Sequence, residues 1–546
     1  MRVAREPVLC LVDGRVRTGR LADWLGLDPA APPARLVAEG YAVCGEAVVG
    51  RLDGEFALLL WDAGARRGLL ARDRLGARPV FLAEHRGALL FASEVRNLLA
   101  LLPSRPPPDR AAMARWLARA GVPEDGATLY AGMRALPGGA TLRLAGGRWE
   151  AVRAWRPRLR PALDVDAAEA AAEVRRSLGA AVGRALEGAE RPAVLLSGGL
   201  DSAAVAAASR DAGAAPVAYS GVFPARPEVD ESDRLRRVRD RLGLAGIEAE
   251  LGGGSALAGA VEFTRAWELP PVSPNRFVWA PLLRRAADDG VDVVLDGEGG
   301  DELLGCAAYL VADRLRAGRP IAAVRTARRL PGMGARPRPR WVGRALLTYG
   351  ARGLLPPGLH ERMRAARRRG GGGPGWLAQP VRDSRWAWKR RPGPRWWAHL
   401  SHVLVADPLG ATDQRRREAA LHGLDLRHPL RDPELIDLVL SLPPELAFDP
   451  DLDRPLLRRA LAGELPDDVL RDTRKPFFDA LLRDALSGPD ADALRALVAE
   501  PPAELAALLR PGAAAALLDP AARPASWALD AWRVATLAIW LRHQEA

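Results

Sequence analysis

The chain has 546 residues, 48% of them apolar, and 79 Lys and Arg against 67 Asp and Glu give it a formal charge of +12. Three scattered cysteines, Cys10, Cys44 and Cys306, exclude a disulfide framework or a Cys-rich zinc site, which fits a reducing cytoplasm. MRVAREPVLCLVDGRV is no signal peptide, and no stretch stays apolar for the roughly 20 residues of a membrane-spanning helix, so a soluble protein is expected.

That length exceeds what one hydrophobic core normally organises, and the chain divides into residues 1–155 and 160–546. The first part reads as β-rich, with apolar runs Val8–Val12, Phe56–Trp61 and Ala88–Ala92 between Gly, Asp and Arg turn signals. A Pro-rich boundary at Trp155–Pro161 follows. Helical spacing over Ala167–Leu186 leads through Glu190-Arg191-Pro192 into an apolar strand, Ala193–Leu196. After SGGLDS come a small-residue helix at Ser202–Ser209, a strand at Pro216–Ser220, a helix at Ser232–Leu242 and a strand at Val291–Leu295 that ends at DGEGGDE. Strands alternating with helices predict a doubly wound parallel sheet, with ligands beyond the carboxyl ends of its strands. From 312 to 400 the order breaks down into an Arg-, Pro- and Gly-rich insertion, with RRRGGGGPG at Arg367–Gly375 and Trp386, Trp388, Trp396 and Trp397. Helical periodicity resumes near Arg415. The basic excess is mostly Arg against Ala, Gly and Pro, a pattern a GC-rich coding sequence produces, and secondarily a field that favours polyanionic ligands.

A glycine-rich turn between a parallel strand and a helix aims backbone N–H groups and the helix dipole at one spot, which suits phosphate. In Ser197-Gly198-Gly199-Leu200-Asp201-Ser202 the glycines allow close approach, the serines offer hydroxyls and Asp201 offers an oxygen to Mg²⁺. No GK[ST] is present, so this is not a Walker A loop; a plain turn with Asp and Ser capping a helix is the simpler alternative. Asp296-Gly297-Glu298-Gly299-Gly300-Asp301-Glu302 crowds four carboxylates into seven residues, which calls for a cation or a perturbed pKa. An acidic surface turn is the plain reading there.

SGGLDS resembles the pyrophosphate loop of the ATP pyrophosphatase superfamily, and DGEGGDE resembles the DGEGSDE signature of asparagine-synthetase-type enzymes, with Gly300 where Ser is common. GLDLRHPLRDPELIDLVLSLPP, Gly423–Pro444, and LPDDVLRDTRKPFFDALL resemble further blocks of the same superfamily. The resemblance implies a ligase that cleaves ATP to AMP and pyrophosphate through an acyl-adenylate. It places Ser197, Gly198, Gly199, Leu200, Asp201, Ser202, Gly299 and Lys475 on ATP and pyrophosphate. It puts Asp201 and Asp301 on Mg²⁺, Glu298 facing the adenylate and the amine, and Lys475 as a catalytic cation. A solvated charge is the bland reading of Lys475. A surface pair is that of His399 and His402.

Arg51–Val95 resembles the glutaminase (Ntn-type) fold of the family through its LDG-FA, RD-LG-P and ASE landmarks. Arg2 stands where that family carries its nucleophilic Cys, Leu9–Val16 resembles an inner part of the fold, and Cys10 is expected to be a small buried residue, so residues 1–155 read as a degenerate glutaminase-like domain. A misassigned start site would also explain the missing nucleophile; without glutaminase chemistry the amine is expected to come from the substrate. β-Lactam-type synthetases usually carry Tyr at the position of Glu298, so the chain looks more like a lasso-peptide macrolactam synthetase. The partners implied are a precursor peptide, a leader peptidase and a leader-binding protein, with 312–400 either enclosing the peptide or only covering the core. The alternatives are asparagine synthetase, β-lactam-type ring closure and an inactive peptide-binding scaffold. A nucleic-acid partner is disfavoured because no RNA-binding module is visible.

Overall fold

In the computed structural model the described residues are 8–119, 126–153, 155, 157, 159–252, 254–356, 359, 363, 376–378, 395–396, 410–474, 478–518 and 527–545. The N-terminal part contains two antiparallel sheets. The first has the order β1-β2-β3-β7-β8, from β1 (Val8–Arg17), β2 (Asp53–Asp62), β3 (Arg67–Arg72), β7 (Ala140–Ala145) and β8 (Arg148–Arg153). The second is β5-β4-β6, from β4 (Phe81–His85), β5 (Ala88–Ala92) and β6 (Arg134–Ala135). The three apolar runs singled out in the sequence all lie on strands, but helices at Pro33–Cys44 and Arg110–Arg119 also belong to this part. Their apolar positions, such as Leu36, Val37, Met113 and Leu117, are buried at helical spacing.

The second part is built on a five-stranded parallel sheet, β11-β10-β9-β12-β13, from β9 (Pro192–Leu195), β10 (Val217–Val222), β11 (Gly246–Glu250), β12 (Val293–Leu295) and β13 (Asp425–Arg427). Alternation sends Val194, Val293 and Leu295 to one face and Ala193, Leu195, Val294 and Leu426 to the other. The first face is covered by α1 (Ala167–Leu186), α2 (Leu200–Asp211) and α3 (Ser232–Leu242), the second by α4 (Arg276–Asp288). Helices on both faces make the sheet doubly wound, and β9 lies at its centre. Leu295 stands opposite Val194 on one side and Arg427 on the other, so three strands end side by side. The loops after β9 and β12 therefore emerge together.

After β12 follow α5 (Gly300–Leu304), α6 (Leu310–Arg316), α7 (Pro320–Arg328) and α8 (Pro339–Ala345). The loss of order expected from residue 312 onward is thus corrected: through residue 354 the chain is largely helical. Pro320 and Pro339 start helices instead of breaking them, because a first-turn proline needs no N–H partner and its φ is already helical. Leu310, Val311, Ala323, Ala327, Val342 and Ala345 form a small core with Phe448. Trp396 packs against it and its N–H donates to Asp313 at 2.9 Å. Arg367–Gly375, Trp386, Trp388, Trp397, His399 and His402 lie outside the described residues.

The remaining elements used below are α9 (Ala411–Leu421), α10 (Pro433–Val439), α11 (Pro455–Ala460) and α12 (Trp527–Glu545). Helix α12 joins the two parts: Trp532 and Trp540 lie in one core with Met113, Trp116 and Tyr130. Tyr130 and Trp540 meet edge to face at 5.2 Å, and each donates to the Glu268 carbonyl at 3.0 Å. Among the described residues no helix is long and apolar enough to cross a membrane.

Candidate active site

The Ser197–Ser202 loop leaves the carboxyl end of β9 and enters α2. Its hydroxyls hold the turn: the Ser197 and Ser202 Oγ atoms are 3.0 Å apart, Ser197 N–H donates to Ser202 Oγ at 3.1 Å, and Gly199 N–H donates to Ser197 Oγ at 3.2 Å. No side chain caps α2. The capping alternative therefore fails, because the N-cap residue, Gly199, offers no side chain to the first turn. Leu200 is buried under the loop. Gly198 has no room for a side chain, because a Cβ there would lie 2.7 Å from the Glu231 Cβ and 3.1 Å from the Arg234 Cβ. Burial pushes the Glu231 carboxyl up, and the Arg234 charge opposes it.

The two motifs meet. A Cβ on Gly297 would stand 2.6 Å from Ser202 N, and one on Gly300 would stand 2.3 Å from Asp201 Cγ. Glycine at both positions is what lets the loops touch. Gly299, at φ +101°, turns the chain into α5 over the Arg431 side chain.

Arg454 lies between the aspartates expected to bind metal: its Nη1 is 2.5 Å from Asp201 Oδ2 and 2.9 Å from Asp301 Oδ1, and Asp453 holds its Nη2 at 2.5 Å. Arg454 adopts a left-handed conformation (φ +50°, ψ +51°) just before Pro455 at the start of α11. A non-glycine residue there costs on the order of 1–2 kcal/mol, sustained here by three carboxylates around one guanidinium. Two hard oxygen donors around one cation position, in a cradle that a side chain on Gly300 would fill, suit Mg²⁺ completed by phosphate and water. Among the described residues no group of three or more His, Cys, Asp or Glu forms a protein-only metal cage.

Three of the four crowded carboxylates, Asp296, Glu298 and Asp301, have an answering charge. Asp296 is buried, takes His428 Nδ1 at 2.6 Å and Arg415 Nη1 at 3.0 Å, and accepts from Glu298 N–H at 3.0 Å. Burial pushes its carboxyl up, but His428 and Arg415 outweigh that and hold it well below the usual carboxylate range. Glu298 is held by Arg415 at 2.9 Å and by the Thr412 hydroxyl at 3.1 Å, while the Arg415 guanidinium sits 4.3 Å from the Trp279 ring centroid. Burial, then the charge of Glu298, pushes Glu302 up. Arginine and histidine side chains answer the crowding, and the perturbed pKa expected from the sequence is found at Asp296 and Glu302.

Arg415, His428 and Arg454 were not foreseen as site residues. The GLDLRHPL segment carries His428 within a recognisable block, but nothing in the sequence marks Arg454 among the other arginines. Lys475 lies outside the described residues. Three positions earlier, Asp472 binds Arg234 at 2.7 Å, which ties that segment to the wall of the Ser197–Ser202 loop.

The N-terminal landmarks are structural here. Arg72 is buried, donates to the carbonyls of Arg78 at 2.6 Å and Gly76 at 2.5 Å, and burial pulls its pKa down to about 10. Asp73 accepts from the N–H groups of Phe56, Leu75 and Arg78. Cys10 is half-buried on β1, and burial pushes its thiol up to about 11. That makes it a poor thiolate source, as the small-buried-residue reading requires. Charge joins the two parts: Arg416 reaches Glu55 at 3.5 Å, and Arg78 reaches Asp425 at 3.0 Å.

Comparison with known proteins follows this division. A family profile described as "Asparagine synthase" matches residues 173–542, and one described as "Glutamine amidotransferase domain" matches residues 34–155. A putative asparagine synthetase [glutamine-hydrolyzing] of Mycobacterium bovis is 27% identical over 464 residues, covering 80% of this chain and 69% of the relative. Asparagine synthetase [glutamine-hydrolyzing] 3 of Bacillus subtilis is 22% identical over 448 residues, with 79% and 68% covered. Amidase chyE of Penicillium rubens is 28% identical over 290 residues, with 48% and 41% covered.

Proposed function

Since the chain belongs to the asparagine synthase family and is thereby an ATP-dependent amide-forming ligase, we propose that it closes a macrolactam on a lasso precursor peptide. An Asp or Glu side chain of the peptide is adenylated, and the peptide's own N-terminal amine then attacks with release of AMP. The observation that carries the adenylating half is the meeting of Asp201 and Asp301 around one guanidinium. Support for an internal amine comes from the poor nucleophilicity of Cys10, and Glu298, where the β-lactam-type relatives usually carry Tyr, favours a macrolactam over a β-lactam ring.

In this reading the Ser197–Ser202 turn at the start of α2 takes the β- and γ-phosphates. Asp201 and Asp301 hold Mg²⁺, which when bound neutralises charge on the departing pyrophosphate. Arg454 adds a fixed positive charge at the same place, and Lys475 serves the α-phosphate. Glu298, aimed by Arg415 and Thr412, accepts the proton that the amine loses as it attacks. A leader peptidase that frees the amine and a leader-binding protein that delivers the precursor complete the proposal.

A second reading, asparagine formation from glutamine or ammonia, is favoured by the amidotransferase match at residues 34–155. Incubation with ATP, Mg²⁺ and a leader-free precursor separates the two. The macrolactam reading expects AMP, pyrophosphate and a peptide lighter by one water. Glutamate release from glutamine, with aspartate-dependent AMP formation and no change in the peptide, would replace it by the second.

A further inference from the structure

Residues 314–360 contain 11 arginines and no Asp or Glu, in a chain where 67 of 546 residues are acidic. Arg314 pairs with Glu445 and Arg316 with Asp313. Among the described residues the other nine, Arg319, Arg325, Arg328, Arg329, Arg336, Arg338, Arg340, Arg344 and Arg352, make no ion pair, and all but Arg352 are exposed. Compositional bias explains abundant arginine but not a segment emptied of carboxylates.

The same segment exposes apolar side chains. Five of the sixteen large apolar residues exposed among the described residues lie between 321 and 354, with Ile321 at 70%, Leu347 at 54% and Trp341 at 44% exposure. On α7, Ile321, Val324, Arg325 and Arg328 share one helical face, and Ala323, Thr326 and Ala327 are buried on the other. On α8 and the turn after it, Arg340, Trp341, Arg344 and Leu347 face out while Val342 and Ala345 are buried. Both helices pack over one small core and turn mixed Arg and apolar faces away from it.

We propose that this face, α7 with α8, docks the enzyme on an anionic lipid bilayer. Apolar side chains inserted at the headgroup boundary and arginines on lipid phosphate are the two signals that together give stable peripheral binding. An acidic polypeptide would use the arginines alone, whereas a bilayer also takes up the apolar side chains exposed among them, Ile321, Val324, Trp341 and Leu347. The proposal is independent of which substrate is ligated.

Vesicle co-sedimentation of the full chain tests it, with phosphatidylcholine vesicles containing about 30 mol% phosphatidylglycerol against phosphatidylcholine alone. Binding is expected only to the anionic vesicles. It should weaken at least about tenfold in Arg325→Ala/Arg328→Ala/Arg340→Ala/Arg344→Ala and in Ile321→Ser/Trp341→Ser/Leu347→Ser. A variant of equal charge change elsewhere, Arg20→Ala/Arg143→Ala/Arg176→Ala/Arg471→Ala, should bind like the parent. Circular dichroism confirms that each is folded. No binding to anionic vesicles, or equal binding by the parent and both patch variants, overturns the proposal. So does saturable binding of poly-L-glutamate without vesicle binding, which would assign the face to an acidic polypeptide.

Discussion

At the ends of β9 and β12, Asp201, Asp296, Glu298 and Asp301 crowd together, and Arg415, Arg454 and His428 come from elsewhere in the chain to meet them. A few helices further on, at α7 and α8, arginines stand exposed and in no ion pair among the described residues. The same abundant residue is thus used in two ways. In the site arginine is consumed as counter-charge, where low exposure makes an unanswered carboxylate costly. On the helical face it is left available, where water screens it and a partner can use it.

The sharpest way to break this contrast is to remove a site carboxylate. Asp201→Ala and Asp301→Ala should each lower ATP–pyrophosphate exchange by about 10³-fold or more, since on the proposed function each takes away a charge that would hold the metal. Exchange near the parent level in either would show that the pair around Arg454 is a structural clasp. Next comes Glu298→Gln, which should keep exchange within a few-fold and slow amide formation by about 10²-fold, a split read by following pyrophosphate exchange and product separately. Equal loss in both assays would move Glu298 from proton acceptor to metal or nucleotide binding.

Gly300→Ser restores a residue common in the family at this position. Here it would force a Cβ to within 2.3 Å of Asp201 Cγ. We expect about a tenfold loss of exchange and roughly 1–3 kcal/mol of stability, measured by urea unfolding. An unaffected variant would mean that the loops part without cost.

The smallest effect on chemistry, though not on folding, is expected from Asp296→Asn, which should cost roughly 3 kcal/mol at neutral pH by leaving Arg415 and His428 without their buried partner. The folded chain holds the Asp296 carboxyl below its ordinary value of 3.8, so its contribution is complete above that value and drains away as pH falls from there toward its folded pKa. The stability gap between variant and parent should therefore narrow on acidification below pH 3.8. A gap independent of pH in that range would assign the loss to packing.

Much of this was legible in the sequence where the determining interactions are local. Helices Ala167–Leu186 and Ser232–Leu242 have the ends expected from periodicity, and strands β9, β10 and β12 fall within two residues of their predicted ends. Strands β11 and β13 were not separated out: β13 has only three residues, too few for any periodicity to show, and it exists because β12 offers it an edge. The helices after residue 310 were missed because proline was weighed as a breaker, although at Pro320 and Pro339 it initiates a turn. At the site, the two loops were legible because each is a contiguous strand–turn pattern.

What the sequence by itself determined is the parallel sheet, the two loops at its carboxyl edge and the acidic crowding that demanded a cation. Only the tertiary structure decided which cations came. Arg454 lies 253 residues from Asp201, His428 lies 132 from Asp296 and Arg415 lies 119 from Asp296, and no local spacing encodes such pairs. Strand and loop follow from dihedral preference and neighbouring side chains, whereas a counter-charge is chosen by whatever guanidinium the packed chain carries into reach.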